Sequence, residues 1–190
     1  YPVYRVNSGG PEYISVAGQP FEADNYYVGG TDFTVPFPIA NTDDDVLHQS
    51  GRYGAVTYTF PVTSGRYMVV LHFTEVDVST EGARLFDIEV EGTTVADNYD
   101  IFANFGFGVA GTEEIPVEVL DGQLNLAFFE EVSIPRVSAI EIYGPYTNTS
   151  DFTYTWSQDA SITGSQATGL GEGPYYITVS DPFGLSLIHI

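Results

Sequence analysis

The chain contains no cysteine, which excludes disulfides, thiolate metal sites and cysteine chemistry. It also lacks lysine: all five basic residues are arginine, against 26 acidic residues, for a formal net charge of −21. A field of this sign repels nucleic acid and anionic membranes, so we exclude both as partners. No apolar run approaches the roughly 20 residues that cross a bilayer, so we expect no membrane insertion. No signal peptide is visible either, and Tyr1 resembles the middle of a longer protein or the start of a trimmed one.

What the chain does contain favours an all-β fold. Its 190 residues include 14 tyrosines and 13 phenylalanines, and Gly, Pro, Asn and Asp interrupt it at short intervals. We find no segment with a helical period long enough for a substantial helix. Many short strands separated by turns predict an antiparallel two-sheet β-sandwich.

Alternating residues locate the strands. Tyr67, Val69, Leu71 and Phe73 share one face, and the intervening residues are also apolar, which predicts a central strand. In 86–91 apolar residues alternate with acidic ones, which indicates one buried and one wet face. Further strands are predicted at Ala55–Phe60, Ile115–Val119, Leu124–Phe128 and Val137–Ile142. Ser64-Gly65, Glu91-Gly92 and Asp121-Gly122 mark turns, and the last two suit tight hairpins.

The organisation of the chain changes after Gly144-Pro145. We predict a sandwich domain over 3–145 and a polar linker over 146–151, which contains the sequon-like Asn148-Thr149-Ser150. The segment 152–184 carries two strand-like pieces, Phe152–Trp156 and Tyr175–Val179, around a glycine-rich middle, and it is short for a free domain.

Six motifs of the first domain occur in an order that is characteristic of one family. They are Arg5 to Gly10 (RVNSGG), Asn41 to Gly54 (NTDDDVLHQSGRYG), Leu71 to Val76 (LHFTEV), Gly82 to Gly92 (GARLFDIEVEG), Asp97 to Phe102 (DNYDIF) and Pro135 to Ile142 (PRVSAIEI). Over about residues 3–143 the chain resembles the malectin family, especially its bacterial members.

The resemblance implies a jelly-roll-like, galactose-binding-domain-like β-sandwich that acts as a lectin and not as an enzyme. The implied partner is an oligosaccharide or polysaccharide, and the implied location is extracellular or on the cell surface. The segment 152–184 is similar to the later part of the Ig-like (SprB-type) repeats of bacterial gliding adhesins. We therefore expect further domains of the same long polypeptide as partners.

The last residues, 185–190, have no counterpart in either family. Leu185 to Ile190 (LSLIHI) resembles the translation of a sequencing-library adaptor, so we predict a non-native tail. His189 is accordingly not counted as a ligand.

Sugar sites need flat apolar faces together with polar groups for the hydroxyls. Tyr53 follows Arg52 as the ligand-stacking tyrosine of the family does, and either Tyr26 or Tyr27 matches a second such tyrosine. Asp77, with Val78, stands where animal malectins carry an aromatic pair, and Ser133 stands where they carry a longer polar residue. The predicted carbohydrate-binding residues are therefore Tyr26, Tyr27, Tyr53, Asp77 and Ser133, and the animal preference for a glucosylated glycan does not carry over.

Other charged and polar residues have two interpretations each. Arg52 and Arg84 could bind an acidic sugar, but we expect them to tie loops by pairing with carboxylates, for example within 43–45. Those three aspartates lack the spacing of a calcium loop, so we expect loop capping, with calcium as the only cofactor considered. His48 and His72 have no paired metal-ligand spacing, and His72 should point away from the aromatic stripe.

An enzymatic function is a third possibility, with Glu75 and Asp77 as a hydrolytic pair of carboxylates. Two residues on one strand face stand roughly 7 Å apart, a distance that suits an inverting glycosidase. Nothing else in the sequence supports a catalytic cleft, so we predict no enzyme activity. The alternatives are a sugar-binding module and a structural or adhesion spacer that has lost sugar binding.

Overall fold

The computed structural model describes residues 2–146, 153–156, 166, 168, 175–180 and 186–188. The chain divides into two compact units, Tyr1–Pro145 and Tyr146–Ile190. The predicted linker 146–151 lies outside the described residues apart from Tyr146.

The described residues up to Tyr146 form twelve strands and two five-residue helices. The strands are β1 Pro2–Asn7, β2 Tyr13–Ile14, β3 Pro20–Ala23, β4 Tyr27–Thr34, β5 Ser50–Pro61, β6 Gly65–Thr74, β7 Leu85–Val90, β8 Thr93–Tyr99, β9 Ala110–Val119, β10 Gln123–Val132, β11 Arg136–Val137 and β12 Ala139–Tyr146. The helices are α1 Asp45–Gln49 and α2 Ile101–Phe105. Neither described helix is long and apolar enough to cross a membrane.

Two six-stranded sheets form the sandwich. The first has the order β2-β3-β1-β12-β6-β9, and the second has the order β11-β5-β10-β7-β8, with β4 paired to β5. Most neighbouring strands run antiparallel, whereas β1 and β3 run parallel. This confirms the predicted all-β sandwich.

The main hydrophobic core lies between the two sheets. Strand β6 contributes Tyr67, Val69, Leu71 and Phe73 from the first sheet, all almost fully buried. Strands β5, β7 and β10 contribute the facing residues of the second sheet, among them Tyr58, Phe86 and Leu126. Met68 and Val70 on the other face of β6 are buried as well, so the prediction of a central strand is confirmed.

One of the two predicted hairpin turns was wrong. Asp121-Gly122 does not close a hairpin, because β9 belongs to the first sheet and β10 to the second. The turn instead carries the chain across the sandwich, with Val119 and Leu124 both fully buried. Glu91-Gly92 does join the paired strands β7 and β8, and both of its residues have positive φ, as a tight hairpin turn requires.

The single strand predicted over Val137–Ile142 is two strands in different sheets. β11 pairs with β5 in the second sheet, and β12 lies beside β1 in the first. The chain crosses at Ser138, whose N–H donates to the carbonyl of His72 in β6. Residues on both sides of the crossing are buried, so hydrophobicity alone could not reveal it.

The described residues of the second unit form a small sheet of three strands, β13 Thr153–Trp156, β14 Ile177–Ser180 and β15 Ser186–Ile188. β14 pairs antiparallel with both neighbours. The first two strands overlap the strand-like pieces predicted at Phe152–Trp156 and Tyr175–Val179. β15 falls within the predicted tail, whose other residues lie outside the described ones.

Candidate functional site

A buried carboxylate lies at the end of β6. Glu75 exposes none of its side chain and accepts hydrogen bonds from Arg84 Nε at 2.7 Å and Arg136 Nη1 at 3.1 Å. The backbone N–H groups of Asp77 and Val78 donate to the same carboxylate at 2.9 and 3.2 Å. Four donors therefore hold one carboxylate and the loop that follows it.

Electrostatics favour the ionised form of this carboxylate. Burial would raise the pKa of Glu75, but the hydrogen bonds from Arg84 and the Asp77 backbone and the charge of Arg136 lower it below its ordinary value. Burial lowers the pKa of Arg136, and the charges of Glu75 and Asp77 oppose that change. The buried charges thus compensate one another.

Asp77 connects this buried group to the surface. Its Oδ2 lies 3.1 Å from Arg84 Nη2 and 3.2 Å from Arg136 Nη2, yet its side chain is 57% exposed. Among the described residues, Oδ1 has no hydrogen-bond or ion-pair partner. We call Glu75, Asp77, Arg84 and Arg136 the arginine cluster; its formal charges sum to zero.

The arginine cluster also fixes the loop between β10 and β11. Arg84 Nη1 donates to the carbonyl of Ile134, and the N–H of Gly54 donates to the carbonyl of Pro135 at 2.9 Å. Ser133 opens this loop with a left-handed φ of 63°, a strained conformation that is uncommon for serine and recurs at functional sites. Its side chain is exposed, and its hydroxyl has no partner in the described part of the chain.

Tyr53 lies beside this loop. It precedes Gly54 and pairs with Arg136 across β5 and β11. Its half-buried ring lies 6.0 Å from the ring of Phe33, and the Arg136 guanidinium stacks over Phe33 at 4.2 Å. No hydrogen bond engages the Tyr53 hydroxyl among the described residues. The structure therefore gathers three of the five predicted residues, Tyr53, Asp77 and Ser133, around Arg84 and Arg136; we call these three the polar rim.

Gly51 leaves the space in which the ring of Phe33 lies. A Cβ on Gly51 would lie 2.5 Å from Cε1 of the Phe33 ring and 2.8 Å from the carbonyl oxygen of Val137. Because neither approach is tolerated by a real Cβ, the ring can lie over β5 only with glycine beneath it.

Tyr26 and Tyr27 lie elsewhere. The Tyr26 ring packs 5.1 Å from both Tyr4 and Phe60. The Tyr27 ring lies 3.4 Å below the guanidinium of Arg52, and Arg52 and Tyr53 point to opposite sides of β5. Tyr27 also pairs with Tyr58 across β4 and β5. Tyr58 lies five residues, or about 16 Å, along β5 from Tyr53. The structure does not bring these two tyrosines to the polar rim.

The predicted pairing of Arg52 or Arg84 with the aspartates at 43–45 is wrong. Arg52 Nε lies 2.6 Å from Asp24, and Arg84 binds Glu75 and Asp77. Both arginines nevertheless have the expected structural role. The sequence could not supply the partners, because Asp24 and Arg52 are 28 positions apart and no local spacing links them.

Two of the three aspartates of 43–45, Asp44 and Asp45, cap loops instead. Asp44 Oδ1 accepts from the Tyr13 hydroxyl and the N–H of Val16, both at 2.7 Å, and Asp45 accepts from the N–H of Ile39 at 3.3 Å. Within the described residues no group of three or more His, Cys, Asp or Glu side chains could hold a metal ion.

The two central histidines pack on the outer face of the first sheet. His72 Nε2 lies 2.9 Å from Glu141 Oε1, and Arg5 Nε lies 2.7 Å from Glu141 Oε2. Burial would raise the pKa of Glu141, but the hydrogen bonds from His72, Tyr143 and Arg5 lower it to about 2. Burial and the neighbouring His72 lower the pKa of His48 to about 4. His72 thus points away from the aromatic stripe, as expected.

The hydrolytic pair finds no support in this geometry. A glycoside hydrolase needs a carboxylic acid with a raised pKa and access to the substrate. Glu75 is fully buried and its pKa is lowered.

Two residues of the site, Phe33 and Arg136, were not predicted from the sequence. The scarcity of arginine was the one signal that could have indicated Arg136.

Comparison with known proteins identifies the family. A family model described as the malectin domain matches residues 2–149. Malectin-B from Xenopus laevis is 32% identical over 154 residues, a match that covers 77% of this chain and 56% of that protein. The chain thus spans little more than half the length of this relative.

Solved structures agree on the fold. A β-glucuronidase from Bacteroides uniformis superposes with a TM-score of 0.68 at 19% identity, covering 75% of this chain and 18% of the enzyme. The ANX1 ectodomain from Arabidopsis thaliana superposes with a TM-score of 0.67 at 17% identity, covering 74% of this chain and 47% of that one. At these identities the likeness shows the fold alone, whereas the family model covers most of the sequence. The chain belongs to the malectin domain family, which has a carbohydrate-binding fold.

Proposed function

We propose that this chain is a non-catalytic carbohydrate-binding module of a larger secreted or cell-surface bacterial protein, with its site at the polar rim. One observation carries the proposal: the Tyr53 hydroxyl, Asp77 Oδ1 and the Ser133 hydroxyl have no partner among the described residues and surround one buried ion cluster. Membership of the malectin family supports the same ligand class.

Each rim residue has a part in sugar recognition. The Tyr53 ring offers an apolar surface for the C–H face of a pyranose, and its hydroxyl can donate or accept. Asp77 Oδ1 can accept from a sugar hydroxyl, and Ser133 can do either. Because the arginine cluster holds both loops, these groups lose little conformational entropy on binding, which favours affinity.

The charge of the site favours a neutral sugar. Arg84 and Arg136 expose only 2% and 3% of their side chains and are bound to carboxylates, so neither is free to clamp an acidic ligand. The net charge of −21 also repels anionic polysaccharides. We therefore propose neutral glucans or related polysaccharides as ligands.

A glycan array tests this proposal when it is probed with the native chain and two matched variants. Asp77→Ala removes an exposed acceptor from the rim, whereas Asp43→Ala removes an exposed carboxylate outside it. We expect the native chain and Asp43→Ala to bind the same neutral glycans, and Asp77→Ala to lose about ten-fold in affinity. Binding that is absent in all three, or equal in all three, would count against the rim.

A spacer that has lost sugar binding is the second candidate. It is favoured by Tyr26, which packs against Tyr4 and Phe60, and by Tyr27, which lies against Arg52. Ring faces occupied in this way stabilise the domain and are not free for a sugar, although Tyr27 as a whole is 39% exposed. Failure of the native chain to bind any glycan while remaining folded would favour this reading.

The larger context is part of the same proposal. The ectodomain among the structural neighbours is compatible with an extracellular location. The predicted partial SprB-type repeat after residue 151 suggests an adhesin-like parent with further domains. Antibody against residues 3–145 on intact cells that carry the complete gene would test surface display; labelling only after lysis would contradict it.

A further inference from the structure

A pocket lies on the outer side of the first sheet, near β9. Its volume is about 420 Å³, which is at the small end of the range of ligand pockets. The side chains that matter for its chemistry are Asn41, Thr42, His48, His72, Phe105 and Thr112. None of them belongs to the polar rim or to the arginine cluster.

The lining of this pocket is polar but carries no acid and no arginine. No Asp, Glu or Arg side chain is part of the described lining, although the chain has 26 acidic residues. His48 stays neutral at pH 7, because burial and the adjacent His72 lower its pKa to about 4. No carboxylate or guanidinium of the described lining is therefore available to pair with an ionised ligand.

Several of its polar groups are without partners. His72 uses Nε2 towards Glu141, and its buried Nδ1 has no hydrogen-bond partner. The Thr112 hydroxyl has no partner among the described residues, and Thr112 lies directly opposite His72 across β6 and β9. The side chain of Asn41 uses its Nδ2 to donate to the carbonyl of Ala110, which leaves its Oδ1 available. These groups supply both donors and acceptors for hydroxyls.

One wall is aromatic and depends on a glycine. A Cβ on Gly111 would lie 2.3–2.4 Å from three atoms of the Phe105 ring. The ring therefore lies directly against the backbone of β9 and closes the pocket at the end of α2. An aromatic face beside hydroxyl, amide and imidazole groups suits a molecule that has C–H faces and several hydroxyls.

We propose that this pocket binds a single small uncharged polyol, of the size of one hexose, independently of the polar rim. The unpaired acceptors and donors around His72 and Thr112 recognise its hydroxyls, and Phe105 covers an apolar face. Hydroxyl groups satisfy these polar atoms without the desolvation penalty that burial of an ionised ligand would carry.

Titration of the isotope-labelled complete chain, followed by amide chemical shifts, tests the proposal. The probes are glucose, galactose, mannose and myo-inositol, with glucuronate as a charged comparison. We expect at least one neutral probe to shift the amides of His72, Phe105 and Thr112, and glucuronate to bind more weakly than glucose. No shift with any neutral probe, or equal binding of glucuronate, would overturn the proposal.

Matched variants separate this pocket from the rim. Thr112→Val removes one hydroxyl at constant shape and should weaken the binding of the neutral probe about five-fold, whereas Thr57→Val on the exposed face of β5 should not. Phe105→Leu serves as a second pocket variant. Tyr53→Ala should leave this titration unchanged while it weakens polysaccharide binding. Equal affinities of Thr112→Val, Phe105→Leu and the native chain would overturn the proposal.

Discussion

Arg84 donates its Nε hydrogen bond to the fully buried carboxylate of Glu75 at 2.7 Å, and neither side chain exposes more than 2% of its surface. The same arginine contacts Asp77 and the carbonyl of Ile134. One buried pair therefore holds the two loops that carry Asp77 and Ser133.

Loss of the buried charge should destabilise the fold strongly. Glu75→Gln leaves Arg84 and Arg136 buried beside a neutral amide, and the removal of one member of a buried ion pair typically costs about 3–5 kcal/mol. We expect the free energy of unfolding in urea to fall by that amount, with the slope of the transition unchanged.

An exposed ion pair provides the control for this experiment. Arg66 lies 4.0 Å from Glu118, and both side chains are mostly exposed. Arg66→Ala should change the free energy of unfolding by less than about 1 kcal/mol. Equal effects of Glu75→Gln and Arg66→Ala would show that the arginine cluster does not hold the rim.

Gly51→Ala should disturb the rim through Phe33. The new Cβ would meet the Phe33 ring at 2.5 Å, so the ring must leave its place beneath Arg136. We expect a loss of about 1–3 kcal/mol in stability, as overpacking generally gives, together with weaker glycan binding. Urea unfolding and affinity electrophoresis measure the two effects.

Gly82→Ala is the matched control for that change. Its Cβ would meet nothing within 4 Å, but its φ of +74° makes any side chain strained. It should lower stability by about 1 kcal/mol and leave glycan binding intact. If it weakened binding as much as Gly51→Ala did, the contact with Phe33 would not be the cause.

His48 should make stability depend on pH. Its pKa is about 4 in the folded protein, against 6.5 for an unperturbed imidazole. Below pH 6.5 the unfolded chain therefore binds a proton that the folded chain does not bind, so acid favours unfolding. Between pH 6.5 and about pH 5 the free energy of unfolding should fall by about 2 kcal/mol from this residue.

Urea unfolding of the native chain and of His48→Gln across this pH range measures the effect. The glutamine variant should be less stable at pH 7 but show a smaller decrease as the pH falls. Glu118→Gln, an exposed change, should keep the slope of the native chain. A slope that persists in His48→Gln would assign the pH dependence to other groups.

The sequence predicted those features of the fold that depend on the residues of a single strand. The alternation through β6 and β7 placed Tyr67, Phe73, Phe86 and Ile88 in the core, and all are buried there. Alternation does not state which sheet a strand joins. The crossing at Ser138 therefore remained hidden, since its neighbours on both sides are buried.

The candidate site was predictable in part for the same reason. Tyr53, Asp77 and Ser133 were proposed from family motifs, and the structure brings them together. The ion pairs that position them join residues up to 61 positions apart, such as Glu75 and Arg136. No local spacing encodes such a pair, and each of the five arginines could pair with many of the 26 acidic residues.

Affinity electrophoresis of the native chain, Tyr53→Ala and Tyr27→Ala in soluble neutral glucans tests the central claim most directly. Both variants remove one tyrosine from β4 or β5, but only Tyr53 belongs to the polar rim. We predict that the glucans retard the native chain and Tyr27→Ala equally, and that Tyr53→Ala loses about ten-fold in affinity. Retardation that is indifferent to Tyr53→Ala, or no retardation of the native chain, would contradict sugar binding at this rim.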